Sequence, residues 1–98
     1  MRPRFLVEAE AEAELDEAFT WYEGRAQGLG TEFTRAVRAA FALIGRNPEQ
    51  FPRVRGDVRR ALVRRFPYAV YYIAEPDQIS IVAVIHTRRH PRRWQSRR

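Results

Sequence analysis

Two apolar segments, residues 69–74 (AVYYIA) and 79–85 (ISIVAVI), are separated only by Glu75-Pro76-Asp77-Gln78, and this spacing constrains the fold more than any other feature. A turn rich in Pro and Asp between two runs of β-formers makes an antiparallel hairpin. Residues 59–65 (RRALVRR) supply a third strand candidate. Within the last run, period-two alternation puts Ile79, Ile81, Ala83 and Ile85 on one face and Val82 and Val84 on the other. Apolar residues on both faces mark a central strand.

The first half of the chain has a different period. After a short strand-like run at residues 4–7, Leu15, Ala18, Phe19 and Tyr22 fall at i, i+3, i+4 and i+7, one face of a helix. Glu8, Glu10, Glu12 and Glu14 crowd its first turns, where the helix dipole favours acids, and read as a solvated surface. The glycines between Gly24 and Gly30 break that helix. Leu29, Phe33, Val37, Ala40, Phe41 and Ile44 form the stripe of a second, which Asn47-Pro48 ends. The expected fold is a single α+β domain: a strand at 4–7, a helical hairpin at 8–47, antiparallel strands over 57–86 and a basic tail at 87–98, frayed from Gln95 onward. The helical hairpin packs on a small antiparallel sheet.

Charge separates the halves. Residues 1–50 hold six arginines against nine acids, and residues 51–98 hold twelve against three. The second half is therefore built to meet an anionic partner. All eighteen basic residues are arginine, which excludes lysine-based covalent or general-base chemistry. With no cysteine there is no disulfide, thiol nucleophile or thiolate metal site, and no cofactor is implied. No apolar run approaches the roughly 20 residues of a membrane span, and the acidic N-terminal stretch is unlike a signal peptide. The expectation is a cytoplasmic protein with no membrane partner.

Several residues could carry chemistry. His86 closes the last strand and His90 follows; histidine shuttles protons near neutral pH, and its bland role here is to cap the strand and pack on Pro91 or Trp94. A metal held by this pair is not expected, because no nearby carboxylate completes a shell. Arg88, Arg89, Arg92 and Arg93 form two doublets suited to phosphates or to an acidic protein patch, against a plain reading as solvated rim. Trp94 among them either stacks on a base or anchors the tail to the core. On a regular strand Arg60 and Arg64 share a face with Leu62, and Arg59 and Arg65 share one with Ala61 and Val63. One of these arginines is expected to find Glu75, Asp57 or an N-terminal glutamate. Trp21, Tyr22 and Phe51 are core residues or the walls of an apolar groove.

The local signatures, taken in order, are similar to one family. They are Ala18…Trp21-Tyr22-Glu23, Gly28-Leu29-Gly30…Phe33, Ile44…Asn47-Pro48…Phe51-Pro52, Val58-Arg59-Arg60…Arg64-Arg65-Phe66-Pro67-Tyr68…Val70-Tyr71-Tyr72 and Ala83-Val84…His86…Arg89…Pro91…Trp94. The chain resembles the RelE/ParE toxins of bacterial type II toxin–antitoxin systems, most of all their ParE-like branch. That resemblance implies a toxin neutralised by a cognate antitoxin, in an oligomeric toxin–antitoxin complex. ParE-like toxins poison DNA gyrase, whereas RelE-like toxins cleave mRNA in the ribosome. For gyrase, the target-binding set is Arg88, Arg89, Arg92, Arg93 and Trp94. The antitoxin would meet Trp21, Tyr22, Phe51, Arg64 and Arg65. A nuclease would use Arg60, Arg64, His86 and Arg89. Family nucleases place a base after the tyrosine opening the third strand and a C-terminal tyrosine nearby; here those positions hold Ala69 and Trp94. The expectation is therefore a non-enzymatic gyrase inhibitor, with an mRNA endonuclease or a degenerate, non-toxic family member as alternatives.

Overall fold

A computed structural model describes residues 3–89 and 92–97. Strand β1 (Arg4–Val7) leads into helices α1 (Ala9–Arg25) and α2 (Leu29–Arg46). Strands β2 (Arg53–Arg55), β3 (Val58–Leu62), β4 (Tyr68–Ala74) and β5 (Gln78–His86) follow, then the short helix α3 (Arg92–Gln95). The five strands form one sheet in the order β1-β5-β4-β3-β2. It is mixed: β1 runs parallel to β5, and the other pairings are antiparallel. The architecture is thus α+β, a helical hairpin on one face of the sheet, with β1 as the single parallel strand.

The helical stripe read from sequence packs, except for Phe19, which is exposed. Phe33, Val37, Ala40 and Ile44 of α2 are buried, as are Ala18 and Tyr22 of α1, and they meet Ala61, Val70, Tyr72, Ile79, Ile81 and Val84 of the sheet. Tyr22 and Phe33 stack with ring centroids 5.2 Å apart, and Phe66 packs edge-on against both. The corner between the helices depends on Glu23. Its carboxylate accepts from the Gly28 amide (2.8 Å) and the Gly30 amide (2.9 Å), satisfying donors that a helix start leaves without partners. Gly28 sits at φ 89°, a left-handed conformation that favours glycine. Gly30 is required for a different reason: a Cβ there would lie 2.8 Å from the Phe19 carbonyl oxygen of α1.

The sheet departs from plain alternation at one point. Tyr72 pairs with Ile81 but Tyr71 pairs with Ala83, so Val82 is an extra residue on β5, a β-bulge. The bulge reverses the phase of everything after it. Ile79 and Ile81 face the helices together with Val84, whereas Val82, Ala83 and Ile85 pack on the opposite face with Val58, Ala69, Tyr71 and Trp94. The expected sharing of one face by Ile79, Ile81, Ala83 and Ile85 therefore fails. The strand is central, as expected, and all of 79–85 is buried.

Three further expectations are corrected. β3 stops at Leu62, and Arg65 lies in the following turn at φ 71°, so it does not share a strand face with Arg59. Arg59 finds backbone instead of a carboxylate: its guanidinium donates to the carbonyls of Glu49 (3.1 Å) and Phe51 (2.7 Å). The segment from Gln95 is not frayed over the described residues, because Trp94 is buried on the sheet and Arg97 is anchored to α1. His90, Pro91 and Arg98 lie outside the described residues.

Two substitutions check the helical corner. Gly30→Ala, which propensity alone would favour by about 1 kcal/mol, should instead destabilise by about 1–3 kcal/mol, because the clash is with a backbone carbonyl. Glu23→Ala should cost about 2 kcal/mol by removing a charged acceptor from two amides. Urea unfolding reads both, and a stabilised Gly30→Ala protein would show that the helices can separate freely.

Candidate functional site

Beyond Val7, β1 no longer covers β5, and the backbone of β5 there needs other partners. A buried ion pair provides them. Glu14 Oε1 accepts from the Val84 amide at 3.0 Å, and Arg97 Nη1 donates to the Val82 carbonyl at 3.0 Å. The two side chains also bind each other, Arg97 Nη2 to Glu14 Oε2 at 2.6 Å, with only 16% and 10% of their side-chain surfaces exposed. Glu14 is therefore no solvated helix residue: it stands in for the missing strand, and Arg97 completes it. Since Val84 gives its amide to Glu14, alternation along an antiparallel pair turns the His86 amide the same way, beyond the reach of β1.

A groove of about 520 Å³ opens here between α1 and the end of β5. One wall is α1, with Glu14, Glu17, Ala18, Trp21 and Tyr22. The other holds Pro67, Tyr68, Val84, Ile85 and His86, and Arg89 and Arg93 reach the rim. His86 pairs with Tyr68 across the strands, ring centroids 5.4 Å apart, and its Nδ1 accepts from the Arg88 amide at 3.1 Å. Burial lifts the Tyr68 pKa above the ordinary phenol value; Arg89 opposes that rise, and Glu17 and Glu14 add to it. The phenol stays protonated in the neutral range and offers a donor to the groove. Trp21 is 55% exposed, its ring covered on one side by the Arg25 guanidinium at 4.4 Å.

The structure sorts the residues singled out from sequence. His86, Arg89, Arg93, Trp21 and Tyr22 converge on the groove. Arg88 and Arg92 are exposed beside it. Trp94 is 2% exposed and stacks on Tyr71 at 4.8 Å, on the sheet face away from the helices, so it anchors the tail and offers no ring to a partner. His86 packs on Tyr68 and not on Trp94. Arg60 pairs across from Tyr71 on that same far face, and Arg64 is exposed in the turn after β3; neither lines the groove. Arg65 makes an exposed pair with Glu32 at 3.4 Å, which contributes little. Phe51 is half-buried beside Tyr72, away from the groove, where Tyr72 donates to the Pro48 carbonyl at 2.6 Å. Sequence reading missed Glu14, Glu17, Tyr68 and Pro67 as groove residues. Only Tyr68 had a signal, its place opposite the end of β5 in the hairpin.

Among the described residues no group of three or more His, Asp or Glu could hold a metal ion, and no helix is long and apolar enough to cross a membrane. Removing one member of the Glu14–Arg97 pair leaves the other charge in a nearly dry site. Arg97→Met should therefore cost about 3 kcal/mol in urea unfolding. The double variant Glu14→Gln/Arg97→Met should recover part of that loss, and strict additivity would mean that the two do not act as a unit. Arg89→Gln should raise the Tyr68 phenol pKa further, read by ultraviolet titration against Tyr68→Phe, because it removes the one charge holding that pKa down.

Residues 5–91 match the family model for the ParE toxin of type II toxin–antitoxin systems, parDE. A solved structure described as the chromosomal ParDE TA system from P. aeruginosa superposes with a TM-score of 0.73 at 16% identity, covering 87% of this chain and 96% of that chain. No curated protein matches the chain. At 16% identity the structural likeness speaks for the fold, and that fold has the helical hairpin and sheet described above. The family match runs from the first strand to the arginine-rich segment after the last, and on it the chain belongs to the ParE toxins of type II toxin–antitoxin systems.

Proposed function

We propose that this toxin inhibits DNA gyrase by binding, with no reaction of its own, and that an acidic antitoxin silences it from the groove. The observation that carries the reading is the separation of the arginines. A nuclease needs its cations around one phosphate, yet Arg60 and Arg64 lie apart from the groove that holds His86 and Arg89. What is gathered there suits binding: an exposed indole, an apolar floor and two rim arginines. The solved ParDE system is a toxin–antitoxin assembly by its description, and here an amphipathic antitoxin segment would set apolar residues against Trp21, Ala18 and Val84. Its acids would meet Arg89 and Arg93. Arg88 and Arg92, exposed beside the groove, extend the same basic rim toward the target. Gyrase is the target that the ParE-like branch implies.

One arrangement favours the endonuclease instead: His86 against Tyr68, with Arg89 beside them, is the part of a cleavage site that the groove does assemble. The experiment is a plasmid supercoiling and cleavage assay with purified toxin and gyrase. The expected result is lost supercoiling with accumulated cleaved DNA, both suppressed by the antitoxin. Unaffected gyrase with cleaved mRNA, abolished by His86→Ala, would transfer the activity to the ribosome; normal growth on expression without the antitoxin would mean a degenerate toxin. Trp21→Ala should weaken antitoxin binding at least about tenfold, since exposed tryptophans at the centre of an interface carry much of its energy.

A further inference from the structure

The bulge in β5 turns one backbone group outward that a regular strand would turn inward. Along a regular strand the carbonyls of successive residues point to opposite edges. Here the Ile81 and Val82 carbonyls both point away from β4. The first accepts from the Glu8 amide at 3.0 Å, the second from Arg97 Nη1 at 3.0 Å. Without the bulge Val82 would pair with Tyr71, and its carbonyl would enter the β4–β5 ladder. Ala83 would then stand opposite Val70, in the place that Val84 holds now, and its amide would serve Glu14 equally well. The Glu14 contact to β5 is therefore indifferent to register. The Arg97 contact is not, because only the bulged register offers it the Val82 carbonyl.

We propose that Arg97 selects the register of β5 and is thereby a positioning residue for the groove. Side-chain burial does not make the choice, because residues 79–85 are apolar in either phase apart from Ser80, which precedes the bulge. Arg97 is mostly buried and held by Glu14 at 2.6 Å, and a charge so placed needs every acceptor it has. Hydrogen bonds to charged groups are among the stronger ones in a folded chain, so losing the Val82 carbonyl weighs against the regular register. In the register that Arg97 favours, His86 faces Tyr68 and lies at the groove with Arg89 and Arg93. In the other, Ile85 would face Tyr68 and His86 would turn to the sheet face that carries Trp94. Arg97 itself does not line the groove; it acts through β5. The inference goes beyond the gyrase reading and does not depend on it, and its test contains neither gyrase nor antitoxin.

The chain has no cysteine, so introduced pairs report register directly. Tyr68→Cys/His86→Cys should close a disulfide in the bulged register and Tyr68→Cys/Ile85→Cys in the regular one, since neighbouring residues on a strand point to opposite faces. Each pair is placed in the full chain and in its Glu14→Gln/Arg97→Met variant, oxidised, and counted by thiol titration. With Arg97 present the pair at 68 and 86 should close and the pair at 68 and 85 should stay reduced. In the Glu14→Gln/Arg97→Met background the ratio of the second closure to the first should rise on the order of tenfold, the weight of one hydrogen bond to a charged group. A nuclear Overhauser spectrum reads the same change with Tyr68, Ile85 and His86 left in place. There the close contact of the Tyr68 Hα should pass from the His86 Hα to the Ile85 Hα. Arg97→Lys, which can still donate to the carbonyl and meet Glu14, should keep the original register. Should the double variant fail to fold, Arg97→Gln, with a shorter neutral side chain, is read in the same two ways. A folded variant that is less stable yet keeps the Tyr68–His86 contact and closure unchanged would overturn the proposal and reduce Arg97 to an anchor for the tail.

Discussion

The Glu14 carboxylate joins three parts of the molecule through its own hydrogen bonds. It closes the backbone of β5 where β1 stops, ties α1 to the sheet's central strand and anchors the chain beyond α3 through Arg97. A neutral side chain of the same shape could accept the Val84 amide but could not hold a guanidinium in a nearly dry site. The charge pair is thus tolerated because each member has further hydrogen bonds, Glu14 to an amide and Arg97 to a carbonyl. The groove opens beside this junction, with α1 as one wall and the end of β5 in the other.

The helical hairpin was legible because its signals are local. Period-3.6 stripes, glycines between Gly24 and Gly30, and Asn47-Pro48 each act within a few residues, and they mark α1 and α2 correctly. The β4–β5 hairpin was legible for the same reason. What escaped reading is what depends on distant partners. Glu14 looks like Glu10 and Glu12 in sequence; its partner is 83 residues away. The three-residue β2 has two arginines and no apolar alternation to announce it. The direction of β1 is fixed by where the helical hairpin returns the chain, which no pattern in residues 4–7 encodes.

The bulge was illegible for a sharper reason. Six of the seven residues 79–85 are apolar, so either phase of the strand buries an acceptable set of side chains. Hydrophobic pattern therefore says that the strand is central but not which residues face the helices. The candidate site suffered most from this. Convergence of His86, Tyr68 and Arg89 follows from register, whereas the arginines at 60 and 64 were grouped with His86 and Arg89 by the resemblance to family nucleases.

Val82 acts as a frame shift written into the folded chain. Counted back from the β4–β5 turn without it, Tyr68 would face Ile85; with it, Tyr68 faces His86. One residue thus decides whether the end of β5 sends an isoleucine or an imidazole toward α1. Pairing Val82 with Tyr71 in place of the bulge would exchange the contents of this groove with every residue of the sequence unchanged. Aligned residue types would then be a poor guide to which of them share a surface.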